Sequence, residues 1–284
     1  MSVSVLAALA LSLAQQGAPP PPVEPVAPVE PVAPVEVSPK GVDPDRAFAR
    51  RATPLTPSGK VLVWVRPLCP FVAGGRTEEN RYIHDRVSQM ARQAGMKMAA
   101  RGCRPNLTVV LADDPEDFIR KARSAGKMLV DRERPLTFDR FAKADMPVKV
   151  WTNFSEVGVS HAATADQVLT HITDGAGSRV RTSVVGIVED QFVIVDRRRA
   201  QGRRLKGLAD YVAMAGIATA RPGRDYAGHD TVMNLFVEGA DPDTEASRMD
   251  EAYLRGLQTV RPDAPGGSQL GQVVSVMRKA RTQP

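Results

Sequence analysis

The chain has 284 residues, of which 38 are Lys or Arg and 32 are Asp or Glu, so its formal net charge is +6. That length is enough to bury a hydrophobic core, and we expect one globular domain once the N-terminal segments are set aside. The moderate positive charge favours anionic partners, although solubility alone would account for it. Because the N-terminus indicates export, these partners are expected in the cell envelope, and no specific nucleic-acid binding is predicted.

An apolar run near the N-terminus, residues 3–14, has the features of a signal peptide. It is shorter than the roughly 20 residues of a transmembrane helix, but it fits the core of a signal sequence, and small residues follow it. No Lys or Arg precedes the run, and no Cys follows it for lipid attachment. We predict a signal peptide over residues 1–18, cleaved after Ala14 or Ala18, a periplasmic or secreted protein, and no transmembrane anchor after cleavage.

A proline-rich repeat follows, with the unit PVEPVA at residues 22–27 and again at 28–33. Proline at every third position fixes φ and removes amide donors, which excludes helices and sheet ladders and favours extended polyproline II. We predict a semi-rigid tether over residues 19–57, with a ligand for a proline-recognition domain as the alternative. The globular domain is then expected over residues 58–284.

The chain contains two cysteines, Cys69 and Cys103. An even number of cysteines in an exported chain predicts a disulfide between them. A metal-binding or redox pair is the alternative, but the close C-x-x-C spacing is missing. His84, which lies between the cysteines in a charge-rich helical stretch, is interpreted as a surface residue.

The first half of the domain alternates predicted strands and helices. Strands are predicted at residues 60–66, 107–112 and 148–152, with a loop from Pro67 to Gly74 and Gly75. Apolar residues at helical spacing predict a helix from Thr77 to Ala94, and Asp113-Asp114-Pro115 predicts the start of another, over residues 116–124.

The second half begins with two β-rich segments, residues 179–188 and 191–195, which predict a hairpin or two consecutive strands. The most apolar helix is predicted at residues 205–218. Two further helices are predicted at residues 250–260 and 269–280. Interleaved strands and helices predict an α/β or α+β domain with a mixed sheet.

A weak nucleophile motif occurs at Gly158, where GVSHA resembles the G-x-S-x-G elbow without its last glycine. In that interpretation Ser160 is the nucleophile and His171 or His229 is the base. The alternative is an ordinary loop serine, which the poor match favours.

A metal site is also only weakly indicated. The four histidines include no H-E-x-x-H pair. His161 and His171 are ten residues apart, so they do not lie in adjacent turns of one helical face, although a fold could bring them together. We predict no metal and no cofactor.

The strongest electrostatic feature is a basic run between the last predicted strand and the apolar helix. Its basic residues are Arg197, Arg198, Arg199, Arg203, Arg204 and Lys206. At the start of a helix such residues would form an anion site for a phosphate, a carboxylated glycan or an acidic surface. The alternative is a solvated turn whose arginines pair with nearby Asp and Glu. No aromatic residues are interleaved, so single-stranded nucleic-acid binding gains little support.

The order of elements in the C-terminal part carries a resemblance. A strand at 191–196 precedes the helix GLADYVAMAGIA (207–218), the segment Asn234-Leu235-Phe236 and the late helix DEAYLRGL (250–257). This order resembles that of secreted proteobacterial proteins of unknown function and, more distantly, of zincin-like putative metalloproteases. In zincins the helix equivalent to 207–218 carries the metal-binding histidines.

The chain departs from the zincin pattern at the residues that carry catalysis. Where a zincin has His, Glu and His, residues 209–213 read ADYVA, without an imidazole ligand or the usual general base. The resemblance therefore implies a zincin-like scaffold without zinc. We predict an exported, non-catalytic envelope protein that binds an anionic envelope component or a protein partner. The alternative is a secreted hydrolase that uses Ser160, or a metal held by His161 and His171.

Overall fold

The computed structural model of the chain describes residues 43–127, 135–158 and 184–282. The predicted signal peptide and the proline-rich repeat lie outside the described residues, as do Ser160, His161 and His171. Among the described residues, no helix has the length and apolar character needed to cross a membrane.

Within these ranges the chain forms five strands, eight α-helices and one short 3-10 helix. The strands are β1 (Leu62–Val63), β2 (Pro70–Ala73), β3 (Leu107–Ala112), β4 (Val148–Gly158) and β5 (Val184–Asp196). The helices are α1 (Pro44–Ala52), α2 (Thr77–Gln93), α3 (Pro115–Ser124), α4 (Pro135–Lys143), α5 (Arg197–Ala200), α6 (Leu205–Ile217), α7 (Arg248–Gln258) and α8 (Gly266–Thr282), and the 3-10 helix is Val232–Asn234.

β5 is the centre of a mixed sheet. β3 pairs in parallel with its second half, from Leu107 opposite Gln191 to Ala112 opposite Asp196. β1 pairs in parallel near its start, β2 pairs in parallel with β3, and β4 runs antiparallel along β5. Helices are interleaved with these strands, so the predicted α/β class with a mixed sheet is confirmed.

Helices cover both faces of the sheet. Side chains in β3 point alternately to the two sides, so the strand contributes to a core on each face. Leu107, Val109 and Leu111 pack in the larger core, with α2, α6, α7 and α8. Val110 and Ala112 pack on the other face, with α3 and α4. A strand buried on both faces is apolar at nearly every position, with Thr108 the exception in β3, which explains why the predicted strand 107–112 coincides with β3.

From residue 184 onward the β-rich segments form one long strand, β5, and not the predicted hairpin or pair of strands. Glu189 and Asp190, which the sequence interpretation placed in a turn, lie inside it. β4 shifts register opposite Asp190, between Asn153 and Phe154. The Asn153 Nδ2 group then donates to Asp190 Oδ1 at 2.6 Å, so a carboxylate is accommodated within the sheet.

The remaining differences concern short or extended strands. The predicted strand at 60–66 contracts to β1, which has two residues, and β2 occupies part of the predicted loop after Pro67. β4 continues to Gly158 instead of ending at residue 152. The predicted helices agree with the observed ones to within a few residues at each end.

α1 places the start of the globular unit earlier than residue 58, where the sequence analysis put it. Its N-cap, Asp43, accepts a hydrogen bond from the Asp45 backbone N–H at 3.1 Å, and Pro44 opens the helix. Phe48 is completely buried and its ring meets that of Tyr253 edge-on, with centroids 5.2 Å apart. The compact unit accordingly spans Gly41–Pro284.

Cys69 and Cys103 form the predicted disulfide, with their Cα atoms 6.2 Å apart. The bond joins the residue before β2 to the loop before β3. Asn106 strengthens the same junction, because its Oδ1 accepts from the Cys69 backbone N–H at 2.7 Å and its Nδ2 donates to the Pro67 carbonyl at 3.0 Å. Covalent and polar contacts therefore hold the beginnings of these two adjacent strands together.

Candidate functional site

The predicted anion-binding run starts at the carboxyl end of β5. Asp196 ends the strand and caps the one-turn helix α5, accepting from the backbone N–H groups of Arg198 at 2.9 Å and Arg199 at 3.4 Å. Gly202 then adopts a φ of 80°, which glycine tolerates readily, and the chain turns into α6. The run is therefore an ordered connection between a strand and a helix.

Each basic side chain of the run contacts an acidic group or a carbonyl. The contacts are Arg197–Asp113 (3.5 Å), Arg198–Asp196 (3.7 Å), Arg199–Asp145, Arg203 to the Ala240 carbonyl (3.3 Å), Arg204–Asp243 (2.9 Å) and Lys206–Glu245. The residues divide into two groups, one facing the ends of β3 and β5 and the other facing residues 240–245. These contacts fit the solvated-turn alternative, and anion binding by the run stays a prediction.

The apolar helix α6 is buried along its length from Gly207 to Ile217. At the positions where a zincin helix would carry its ligands, Ala209 and Ala213 have no exposed surface. Asp210, which stands where the general base would be, is also fully buried. Its Oδ1 accepts from Arg86 Nε at 2.5 Å and its Oδ2 accepts from the Ala246 backbone N–H at 3.0 Å. This carboxylate therefore links α6 to α2 and to the segment before α7.

The described histidines occupy two different environments. His84 Nδ1 lies 3.0 Å from Asp85 Oδ1 on the exposed side of α2, so it is a surface residue, as predicted. His229 is half-buried and its ring packs edge-on against Phe48, with centroids 5.5 Å apart. Across residues 43–127, 135–158 and 184–282 there is no cluster of three His, Cys, Asp or Glu side chains that could hold a metal.

A second basic surface, which the sequence analysis missed, lies on α1, α7, α8 and the loop after α6, beside His229. We name it the arginine face; it consists of Arg51 from α1, Arg221 and Arg224 from the loop after α6, Arg248 from α7, and Arg278 and Arg281 from α8. Arg46, Arg50 and Lys279 add exposed charge on α1 and α8. The nearby acids are Asp43, Asp45, Asp225, the exposed Asp230 and the buried Asp250. Basic side chains therefore outnumber carboxylates here.

Direct contacts bring the segments of the arginine face together. Arg278 pairs with Asp43 and Arg281 with Asp45, which joins α8 to α1. Arg51 lies 3.7 Å from Asp225, and the Arg221 backbone N–H donates to the Ala52 carbonyl at 3.2 Å. The loop after α6 is thereby held against the end of α1.

The surroundings of two residues on this face shift their pKa values. Burial lowers the pKa of His229, and the neighbouring Arg51 and Arg281 lower it further by disfavouring the charged ring. The hydrogen bond from Arg278 lowers the pKa of Asp43.

The arginine face could not be found as a local charge run. Its members come from both ends of the domain and become neighbours only because α1 packs on α8. The sequence does contain one signal, DPDRAFARRA at residues 43–52, in which an N-cap, a proline and helically spaced apolar residues predict a helix. Its position after the proline-rich repeat caused it to be assigned to the tether.

Comparison of the chain with protein-family models, curated proteins and solved structures found no match. Its function must therefore be argued from the geometry of these surfaces.

Proposed function

We propose that this is an exported, non-catalytic envelope protein that holds an anionic component of the envelope against its arginine face. The observation that carries the proposal is the convergence of six arginines from α1, the loop after α6, α7 and α8, three of which form no ion pair with the described residues. Such an arrangement creates a local positive potential that attracts polyanions.

Charge balance favours the arginine face over the Arg197–Lys206 run. In the run, Asp113, Asp145, Asp196, Asp243 and Glu245 each contact a basic side chain. Exposed ion pairs of this kind contribute little to stability, typically about 0–1 kcal/mol, but they cancel the field that an approaching anion would feel. On the arginine face, Arg51, Arg278 and Arg281 are paired with carboxylates, but Arg221, Arg224 and Arg248 form no ion pair within the described part of the chain.

Two further features support the compartment and the lack of catalysis. A disulfide such as Cys69–Cys103 persists in oxidising compartments and is rare in the cytosol. The burial of Asp210 against Arg86 supports a structural role for the residue that a zincin-like scaffold would use as its base.

Heparin affinity chromatography of two matched variants tests the proposal. One variant combines Arg51→Gln, Arg221→Gln, Arg224→Gln and Arg248→Gln, and the other combines Arg197→Gln, Arg198→Gln, Arg203→Gln and Arg204→Gln. Both lose four charges, so their bulk charge is the same. Because each basic residue at an anionic surface contributes on the order of 1 kcal/mol, the first variant should elute at clearly lower salt than the second.

The other outcomes contradict the proposal in distinguishable ways. Equal elution of the two variants would mean that retention follows net charge and not a particular surface. Weaker retention of the second variant alone would assign binding to the run after β5. Both variants replace exposed or partly exposed side chains, so unchanged thermal unfolding serves as the control for folding.

A further inference from the structure

A cavity of about 200 Å³ opens on the arginine face between α1, α7 and α8. Its apolar lining comes from Met249 and Ala252 of α7 and from Met277 and Ala280 of α8. Ala252 and Met277 are almost fully buried, whereas Arg248 and Arg281 are exposed. The cavity is therefore apolar in its depth and cationic at its opening.

We propose that this cavity receives part of the acyl chain of an anionic phospholipid whose phosphate is held by Arg248 and Arg281. The inference rests on the proposed function and names its ligand class. A guanidinium group matches phosphate oxygens in a two-point hydrogen-bonding geometry, and it remains charged at any physiological pH. Charge complementarity at the opening and apolar walls below it fit an amphiphile with an anionic head.

The volume of the cavity suits a short stretch of hydrocarbon. At about 30 Å³ for each water-sized group, its volume accommodates roughly six such groups. Met249 and Met277 have flexible, polarisable side chains that adapt to a chain of variable shape.

Asp45, which also lines the cavity, opposes an anion there. It is paired with Arg281, so its charge is neutralised within the protein. Arg248 is therefore expected to make the larger contribution to phosphate binding.

Insertion of the acyl chain and recognition of the anionic head can be tested separately by calorimetric titration of the full chain. The ligands are octyl phosphate, inorganic phosphate and neutral octyl glucoside, each below its aggregation concentration. Each buried methylene group contributes about fourfold in affinity, so three buried methylenes should make octyl phosphate bind roughly 60-fold more tightly than inorganic phosphate. Equal affinities for the two would overturn insertion of the chain. Octyl glucoside binding as tightly as octyl phosphate would overturn recognition of the head.

Two leucine substitutions in α8 locate the binding site. Ala280→Leu fills the cavity and should weaken octyl phosphate binding at least tenfold, whereas Ser275→Leu, on the exposed side of the same helix, should leave it unchanged. Arg248→Gln, which replaces an exposed side chain, should weaken binding about fivefold. Full affinity in both Ala280→Leu and Arg248→Gln would overturn the assignment.

The lipid inference and the proposed function fail separately. Ala280→Leu keeps every arginine, so its retention on heparin should match that of the parent. If phosphatidylglycerol vesicles do not bind the chain while heparin retention still depends on the arginine face, the lipid ligand is wrong and the anionic-surface function stands. If heparin retention does not depend on the arginine face, the proposed function itself is wrong.

Discussion

Asp250 is the buried carboxylate on which the start of α7 depends. Its Oδ1 accepts from Thr231 Oγ1 at 2.5 Å, and its Oδ2 accepts from the backbone N–H groups of Val232 at 2.8 Å and Ser247 at 3.0 Å. Ser247 caps the helix in return, by accepting from the Asp250 backbone N–H at 3.2 Å. One side chain thus joins the 3-10 helix to α7 beside the arginine face.

Asp250→Ala should lower the free energy of unfolding by about 2–4 kcal/mol at pH 7, because the buried Val232 N–H and the partly buried Ser247 N–H lose their acceptor. Asp250→Asn keeps an acceptor oxygen and should cost less. Urea unfolding measures both. Asp114→Ala, which removes an exposed cap of α3, is the matched control and should cost about 1 kcal/mol. An Asp250→Ala variant no less stable than the control would contradict this account of the hydrogen bonds.

The pH dependence of stability provides a second test of Asp250. Burial raises the pKa of this carboxyl from 3.8 to about 6. Between these two values the folded protein binds more protons than the unfolded chain, so the contribution of Asp250 to stability increases as the pH falls from 7 to 5 and is lost as the pH rises through 6.

Comparison with Asp250→Asn isolates this contribution, because His229 and the other titrating groups are common to both proteins. The parent should gain about 1 kcal/mol relative to the variant between pH 7 and pH 5. Parallel unfolding free energies across this range would show that Asp250 does not titrate there.

At the level of elements, α6 is held in place by a close backbone approach. A Cβ atom on Gly207 would lie 2.2 Å from the Thr244 carbonyl oxygen, so only glycine allows the first turn of α6 to meet the segment before α7. The same segment supplies the Ala246 N–H that binds Asp210. A close backbone approach and a hydrogen bond to a buried carboxylate therefore hold α6 against the segment before α7.

Gly207→Ala should therefore destabilise the protein, although alanine is about 1 kcal/mol better than glycine inside a helix. Gly271→Ala in α8 is the control, since a Cβ there has no atom within 4 Å, and it should stabilise by roughly 0.5–1 kcal/mol. Thermal unfolding of the two variants should move in opposite directions. A stabilised Gly207→Ala protein would contradict the close approach.

The elements most visible in the sequence were those whose burial is uniform. β3 is apolar at every position except Thr108, and α6 is buried on all sides from Gly207 onward, so both were predicted within a residue of their observed ends. The sequence analysis divided β5 into two segments at Glu189 and Asp190, because two adjacent carboxylates between β-rich segments are typical of a turn. The side chain that accommodates Asp190 belongs to Asn153, on another strand, and no local window contains that information.

At the scale of the whole molecule, local sequence patterns also fail to show which distant residues meet at the candidate site. The Arg197–Lys206 run is contiguous and was found directly, but its carboxylate partners come from separate parts of the chain and were not identified. The arginine face requires α1 and α8 to be neighbours, and α1 was assigned to the tether. Local patterns therefore predicted the fold class and the disulfide, whereas the balance of charge at each surface depended on tertiary packing.

Removal of α1 should affect the entire domain. A chain that begins at residue 58 lacks Phe48, which is completely buried against Tyr253, and loss of a buried phenylalanine side chain alone costs about 3–5 kcal/mol. It should unfold at a markedly lower temperature than a chain that begins at residue 41. Circular dichroism of the two proteins provides the measurement. Identical melting curves would show that α1 is dispensable and that residue 58 is an adequate boundary.

The contact between α1 and α8 also determines how the domain would respond to mechanical load. If the chain is pulled from the N-terminal side of α1 while a ligand is held at the arginine face, the force passes through α1, α7 and α8. The sheet and the Cys69–Cys103 bond lie outside that path. Resistance to detachment would then depend on the ion pairs of Asp43 and Asp45 with α8 and on the packing of Phe48, and the larger part of the fold would remain unstretched.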